Sequence, residues 1–161
     1  MTDPAISPAD LIDAYRRGPA MLREAVADVD IEGLRARPIA GKLSTLEVAC
    51  HIVDSDQFMC DRLKRTIATD RPVLVGVESI DYVSALRYHE RDLELDLHLL
   101  EVQREQMASD LERLPQEAWS RTAVHSENGE QTLVDILLHA VEHLEDHVQR
   151  IYEKRRVLFG V

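Results

Sequence analysis

The chain has 161 residues, of which 45% are hydrophobic, 4% aromatic and 30% charged. This length suits one domain spanning residues 1–161, and the content of apolar and charged residues excludes a wholly disordered protein. The formal net charge of −11 opposes nucleic-acid binding, because the phosphate backbone is also negatively charged.

The N-terminus and the distribution of apolar residues predict a soluble cytoplasmic protein. The start of the chain, Met1 to Pro4, does not lead into the apolar segment of a signal peptide. No run approaches the roughly 18 apolar residues that a membrane-spanning helix needs. The best basic cluster, Lys154 to Arg156, lies near the predicted end of a helix, where positive charge offsets the helix dipole.

The first predicted helix begins at Ser7, whose hydroxyl can cap it. Pro8 suits the first helical position, and Asp10 lies where its carboxylate can return the cap. Farther along, Gly18-Pro19 predicts a kink or an interruption of this helix.

A linker over residues 29–43, with a short turn around residues 31–34, leads to the second predicted helix. The segment from Ser44 to Glu47 has the capping-box pattern, in which the two side chains bond each other's backbone N–H groups. The helix is predicted to run from there to about Thr69. The proline and glycine at positions 72 and 76 then indicate a loop.

The third predicted helical region covers residues 79–114, with a break near Tyr88-His89. A proline at position 115 ends it, and the polar segment over residues 116–131 is predicted to be a loop. The apolar side of this helix is expected to follow a helical spacing that includes Leu95, Leu99, Val102, Gln106, Met107 and Leu111.

The last predicted helix begins at Thr132, which forms a capping pattern with Asp135, and continues to about Arg156. No alternation of apolar and polar residues, as a strand would show, competes with these long segments. The sequence therefore predicts an all-α bundle of four main helices with one long crossover connection.

Three histidines, His139, His143 and His147, recur at a spacing of four on the last helix. Residues four apart stack on one face, so two such imidazoles can share a metal ion, but three in a row drift too far around the helix. A helical wheel places His147 about 55° from the centre of the apolar face, His143 about 95° and His139 about 135°. The wheel favours His143 and His147 as a metal-binding pair, although either could instead be a hydrogen-bonded core or boundary residue.

The spacing of the remaining histidines does not identify a third ligand. His51, His89, His98 and His125 are all available. His51 opens a short polar run in an otherwise apolar helix, and Asp54 follows it by one turn, where it could orient His51 or a bound water.

Three stretches of the sequence resemble the DinB superfamily, including its YfiT-like branch of metal-dependent hydrolases. Residues 41–55 match the family pattern G-x-W-S … H-L-x-D-x, with leucine at position 43 where the family often has tryptophan. Residues 88–92, Tyr-His-Glu-Arg-Asp, match its third helix. Residues 132–151 match T-L … H-x-x-H-H-x-x-x-I, with aspartate replacing the first histidine of the adjacent pair. The resemblance covers roughly residues 8–157.

The resemblance implies an up-down-down-up arrangement of the four helices and a site for one metal ion. The family's ligands are one histidine of the second helix and a pair, four residues apart, on the last helix. They correspond here to His51, His143 and His147. Three imidazoles would hold a divalent transition metal, Zn, Ni or Fe, and leave positions open for water or substrate, which is the catalytic type of site.

Two classes of activity follow from the resemblance, and both act on small molecules. The family contains metal-dependent hydrolases, and it also contains transferases that use low-molecular-weight thiols such as bacillithiol or mycothiol. Asp54 is the predicted general base or partner of a bound water, and a homodimer is expected. The open alternative is a bundle that binds a metal or a small molecule without turnover.

Two further side chains have two interpretations each. Arg91 could hold a substrate carboxylate, or it could form a surface ion pair with Asp92 or another neighbour. His125 could line the mouth of the site, or it could be a solvated loop residue.

Overall fold

Four long helices dominate the structure, a computed structural model that describes residues 6–160. The first four residues, on which the predicted lack of a signal peptide depends, lie outside this range. The helices are α1 (Pro8–Val26), α2 (Ile31–Arg35), α3 (Thr45–Ala68), α4 (Ile80–Ala85), α5 (Leu93–Glu112) and α6 (Leu133–Phe159), with 3₁₀ turns at Tyr88–Glu90 and Gln116–Ser120. None of the helices within residues 6–160 is long and apolar enough to cross a membrane.

Capping side chains begin α1, α3 and α6 where the sequence predicts. The backbone N–H of Glu47 donates to Ser44 Oγ at 3.1 Å, and the N–H of Ser44 donates back to the Glu47 carboxylate at 2.7 Å. Thr132 and Asp135 repeat this reciprocal pair at α6. Ser7 caps α1 through its side chain. These bonds satisfy N–H groups that would otherwise lack a partner in the first turn of each helix.

The four long helices form a bundle in which α1 and α3 lie diagonally opposite each other. Helix α1 packs against α5 and α6, and α3 packs against the same two helices. The connection from α1 to α3, residues 27–44, therefore crosses from one corner of the bundle to the opposite one. The predicted all-α bundle with a long crossover is confirmed.

Helix α1 continues through Gly18-Pro19, so the predicted interruption is wrong. Pro19 lacks an N–H and leaves the carbonyl of Tyr15 without its helical partner. The guanidinium of Arg104 takes that place, with Nη1 donating to the carbonyl at 3.0 Å. A Cβ at position 18 would lie 2.3 Å from the same nitrogen, so glycine is what allows Arg104 to approach.

A buried ion pair between Arg104 and Asp56 forms a polar layer midway along the bundle. Arg104 is 1% exposed, and its Nε and Nη2 donate to Asp56 Oδ1 at 2.9 and 2.6 Å. Its guanidinium also stacks over the Tyr15 ring at 4.3 Å. Two apolar clusters lie on either side of this layer, one containing Leu22, Leu46, Leu97 and Leu144 and the other Leu11, Leu63, Met107 and Leu137.

The helix predicted from the spacing of Leu95, Leu99, Val102, Gln106, Met107 and Leu111 forms as α5, but the first four of these residues are exposed. Leu95, Leu99 and Val102 are 67%, 42% and 56% exposed, whereas Leu97 and Leu100 of the intervening face are buried. Helix α5 carries apolar residues on two faces, and its spacing alone does not indicate which one the bundle covers. The exposed stripe is a surface that a second copy could cover, and the expected homodimer stays a prediction.

A small sheet occupies segments that the sequence predicts as loops. Within the described part of the chain its strands are β1 (Val73–Leu74), β2 (Thr122–His125) and β3 (Gly129–Thr132). Strand β1 is parallel to β2, and β2 is antiparallel to β3. Strands of two to four residues are too short for a visible alternation, although the asparagine and glycine at 128–129 are a hairpin signal.

Candidate metal centre

Three histidines from two neighbouring helices meet at the α3–α6 interface. His51 projects from α3, and His143 and His147 lie one turn apart on α6. Each offers a ring nitrogen, and the three nitrogens lie within 4.8 Å of one another. The ring centroids of His143 and His147 are 4.2 Å apart. The centroid of His51 lies 5.2 Å from that of His143 and 4.7 Å from that of His147. The structure thus brings together the three residues that the sequence singled out.

Hydrogen bonds orient two of the three rings. Nδ1 of His147 lies 2.8 Å from the carbonyl oxygen of His143. A carbonyl only accepts, so Nδ1 carries the proton and Nε2 of His147 keeps its lone pair for a ligand. Nδ1 of His51 lies 3.4 Å from Oγ of Ser79, the residue before α4. Such partners fix the tautomer and the ring orientation of metal-binding histidines.

The three imidazoles are held in the neutral form. Burial lowers the pKa of His143 to about 3, and the adjacent His147 and His51 add to the effect. Burial lowers the pKa of His147 to about 4, against the opposing effect of its hydrogen bond to the His143 carbonyl. Burial and the nearby Arg150 guanidinium lower the pKa of His51. Neutral imidazole is the form that coordinates a metal, so the cluster needs no deprotonation at pH 7.

The donor set fits a divalent ion. Zinc lies about 2.0–2.1 Å from an imidazole nitrogen, so ligand nitrogens of a tetrahedral site are about 3.4 Å apart. The three ring nitrogens lie within 4.8 Å of one another, close to that spacing. Among residues 6–160 no other group of three or more histidine, cysteine or acidic side chains has comparable geometry.

The first histidine of the helical run, His139, lies apart from this cluster. His139 is exposed, as the helical wheel predicts, and its ring centroid is 6.1 Å from that of His143. His125 is buried rather than solvated, and its Nδ1 accepts N–H bonds from residues 127 and 128. With His139 and His143 it lines a cleft of about 200 Å³. Of the two interpretations of His125, the structure supports the one at the mouth of the site.

The carboxylate of Asp54, the predicted general base, is engaged by other residues. Arg91 donates to its two oxygens at 2.8 and 2.9 Å, and the Tyr88 hydroxyl donates at 2.6 Å. Burial and this hydrogen bond raise the pKa of Tyr88. Arg91 also contacts Asp96 at 3.4 Å, so its ion pairs are with Asp54 and Asp96 rather than with Asp92. Among the described hydrogen bonds of Asp54, none reaches His51.

A second cleft, of about 310 Å³, opens beside His51 and His147. Leu43, at the position where the family often has tryptophan, lies in its wall. Its lining also includes three cationic side chains that the sequence analysis did not assign to the site, Lys42, Arg150 and Lys154. The sequence spacing could have placed two of them beside the site, because Arg150 and Lys154 follow His147 by three and seven residues and so share its helix face.

Two residues of the basic cluster at the end of α6, Lys154 and Arg155, make different contacts. Lys154 is 3% exposed and faces the second cleft. Arg155 donates to the carbonyls of Ala25 and Ala27 at 2.9 and 2.8 Å and so satisfies the C-terminal end of α1. The prediction that the cluster only offsets the helix dipole is too simple for these two residues.

Comparison with known families agrees with this architecture. The sequence profile of the DinB superfamily matches residues 14–151. The chain belongs to the DinB superfamily. No curated protein sequence matches it.

Two solved structures share the fold. The first is YfiT from Bacillus subtilis, described as a probable metal-dependent hydrolase with an unusual four-helix bundle topology. It superposes with a TM-score of 0.88 and 21% identity, over 97% of this chain and 91% of YfiT. The second is a mycothiol-dependent maleylpyruvate isomerase, with a TM-score of 0.70 and 10% identity, over 89% of this chain and 60% of the isomerase. At these identities the likeness concerns the fold.

Proposed function

We propose that this DinB superfamily protein is a divalent-metal-dependent enzyme that acts on a small molecule, with His51, His143 and His147 as the protein ligands. The observation that carries the proposal is the convergence of three neutral imidazoles within 4.8 Å of one another, between two clefts. Three ligands leave positions open, as in catalytic rather than structural metal sites. The description of YfiT as a probable metal-dependent hydrolase supports the same class of activity.

Two reactions are compatible with this site, hydrolysis and thiol transfer. A bound divalent ion would acidify a water or stabilise a thiolate, and so supply the nucleophile. The residues of the chain keep the imidazoles neutral, orient His147 through its Nδ1–H and provide space on both sides of the cluster. The fold shared with a mycothiol-dependent isomerase is the reason to test thiols beside water.

For Asp54 we propose a positioning role. Its carboxylate accepts from Arg91 and Tyr88, and the Arg91 guanidinium also lies 4.5 Å from the Tyr88 ring centroid. The carboxylate held by these donors fixes a charged unit one turn along α3 from His51. If Asp54 instead transfers a proton, Asp54→Asn will remove one ionisation from the pH–rate profile, and Arg91→Gln will shift that ionisation because it removes the adjacent positive charge. In a positioning role, both variants lower the rate without changing the shape of the profile.

The metal assignment is tested by retention of metal after loading and desalting. The variants His51→Ala, His143→Ala and His147→Ala are expected to lose most of the bound metal, because each removes one of three ligands. His139→Ala is the matched control from the same helical run and should retain about as much as the wild type. Equal metal content in all four variants would show that the cluster is not the site.

The enzyme assignment needs a separate assay with metal-loaded protein. Ester and amide substrates test hydrolysis, and a panel of low-molecular-weight thiols with an electrophile tests transfer. We expect turnover in one arm, lost on metal removal and restored on reloading. A protein that keeps its metal but turns over none of these substrates would favour the alternative of a non-catalytic binding protein.

A further inference from the structure

The cleft beside His51 and His147 combines positive charge with an apolar wall. We call it the cationic cleft and define it by six side chains besides the two histidines. These are the cations Lys42, Arg150 and Lys154 and the apolar residues Leu43, Val48 and Ile80. Carboxylates are absent from its lining within the described residues, although the whole chain has 30 acidic residues and a net charge of −11.

Lys154 is buried without a carboxylate partner. Its ammonium donates to the carbonyl of Arg150 at 3.1 Å, which uses one of its three N–H donors. Throughout residues 6–160 no carboxylate oxygen lies within 4.0 Å of the charged groups of Lys42, Arg150 or Lys154. Burial lowers the pKa of Lys154, against an opposing effect of the Glu153 carboxylate, and the charges of Arg150 and Lys42 lower it further.

Two other cations inside the described structure are each paired with a carboxylate. Arg104 has Asp56, and Arg91 has Asp54. An unpaired buried charge is costly unless a counter-charge reaches it. In the cationic cleft, the counter-charge of a bound anion would offset the cost of burying Lys154.

The cations and the histidines share one space. His147, Arg150 and Lys154 are three and four residues apart on α6 and so project from one face. Arg150 is close enough to His51 and His147 for its charge to act on both imidazoles. A ligand in the cleft would thus have its anionic end at the cations and its remaining atoms directed toward the histidines.

We propose that the cationic cleft binds the oxyanion of a small organic acid, a carboxylate or a phosphate, and so defines the substrate class of the site formed by the three histidines. This inference rests on the metal-dependent function proposed above. The guanidinium of Arg150 offers a fork for two oxygens, and Lys154 supplies a point charge at the buried end. The apolar wall suits a short carbon chain, and a volume of about 310 Å³ lies at the small end of ligand pockets.

Nuclear magnetic resonance titration of the full-length, metal-free protein tests the proposal. The probes are butyrate, butyl phosphate and uncharged butyramide, which share a carbon chain and differ in the anionic group. We expect saturable shifts at residues of the cationic cleft with at least one anion and none with butyramide. The ratio of the two anion affinities distinguishes a carboxylate from a phosphate ligand.

Variants locate the binding site. Lys154→Met removes the charge with little change in length, and Arg150→Gln alters an exposed residue that the fold does not need. Each is expected to weaken anion binding at least tenfold. Lys64→Met, an exposed lysine on α3, is the matched control and should leave the affinity unchanged. Unchanged binding by the first two variants, or equal binding of butyramide, would overturn the proposal.

Metal retention separates this inference from the proposed function. Lys154→Met and Arg150→Gln should keep the metal, because neither is a proposed ligand. Retained metal with no anion binding by the wild type would refute the cationic cleft alone. Anion binding by a protein that retains no metal would refute the metal-dependent function and leave the cleft as an anion site.

Discussion

Lowering the pH from 7.5 to 5.5 should weaken metal binding by this protein at most about tenfold. An imidazole with an ordinary pKa of about 6.5 is about nine-tenths protonated at pH 5.5, so each such ligand would weaken metal binding about tenfold. Three independent ligands of that kind would weaken it about 1000-fold. In the structure the pKa of His143 is about 3 and that of His147 about 4, so both imidazoles stay neutral between pH 7.5 and 5.5.

Only His51 is left to contribute, and burial lowers its pKa as well. The expected loss of affinity is therefore at most about tenfold, the effect of one ordinary imidazole. Affinity is measured by titration against a metal buffer whose free-ion concentration is corrected at each pH, with circular dichroism to verify that the protein stays folded. A loss near 1000-fold in folded protein would show that the three rings are not shielded as described.

The stability of the metal-free protein, unlike its metal affinity, should fall markedly as the pH is lowered. A lowered pKa means that the unfolded imidazoles bind protons at a higher pH than the folded ones do. The stabilisation from keeping them neutral is therefore fully present above about pH 6.5 and is lost as the pH falls toward about 3 to 4. Bound metal should raise the stability at each pH, since it binds the folded state preferentially, but it should not flatten the dependence on pH, because metal-bound imidazoles take up no protons.

Two further predictions concern the polar layer of the bundle, and both are measured by chemical denaturation. Asp56→Ala leaves the Arg104 charge buried without its partner and should cost about 3–5 kcal/mol, whereas Asp61→Ala breaks only an exposed pair and should cost less than about 1 kcal/mol. Similar losses for the two aspartates would contradict the assigned burial. Gly18→Ala should cost about 1–3 kcal/mol because the new Cβ meets the Arg104 guanidinium. Ala20→Ser, on the exposed side of the same helix, should stay within about 0.5 kcal/mol, and an equally mild Gly18→Ala would refute the close approach.

Features that depend on neighbours in the chain could be predicted from the sequence. The capping boxes of α3 and α6 join side chains three residues apart, so the pattern and the structure coincide. The pairing of His143 with His147, and the outward position of His139, follow from the 3.6-residue period of one helix. The family resemblance added His51, which no spacing within α6 could supply.

Features that depend on distant segments could not be predicted in the same way. Whether Leu99 or Leu100 of α5 is covered depends on which helices lie beside it. Asp54 contacts Arg91, 37 residues away along the chain, and no spacing within α3 indicates that ion pair. The short strands form because β1 and β2 meet across the chain, not because either has a strong pattern.

The cluster of His51, His143 and His147 shows the same division between local and distant features. The sequence by itself determined the helices, their caps and the pair on α6, because these follow from residues less than two turns apart. Only the packing of α3 against α6 brought His51 to that pair, and only tertiary burial left Lys154 without a carboxylate beside it. The reason is physical, since desolvation and contacts between helices depend on how the whole bundle closes rather than on local periodicity.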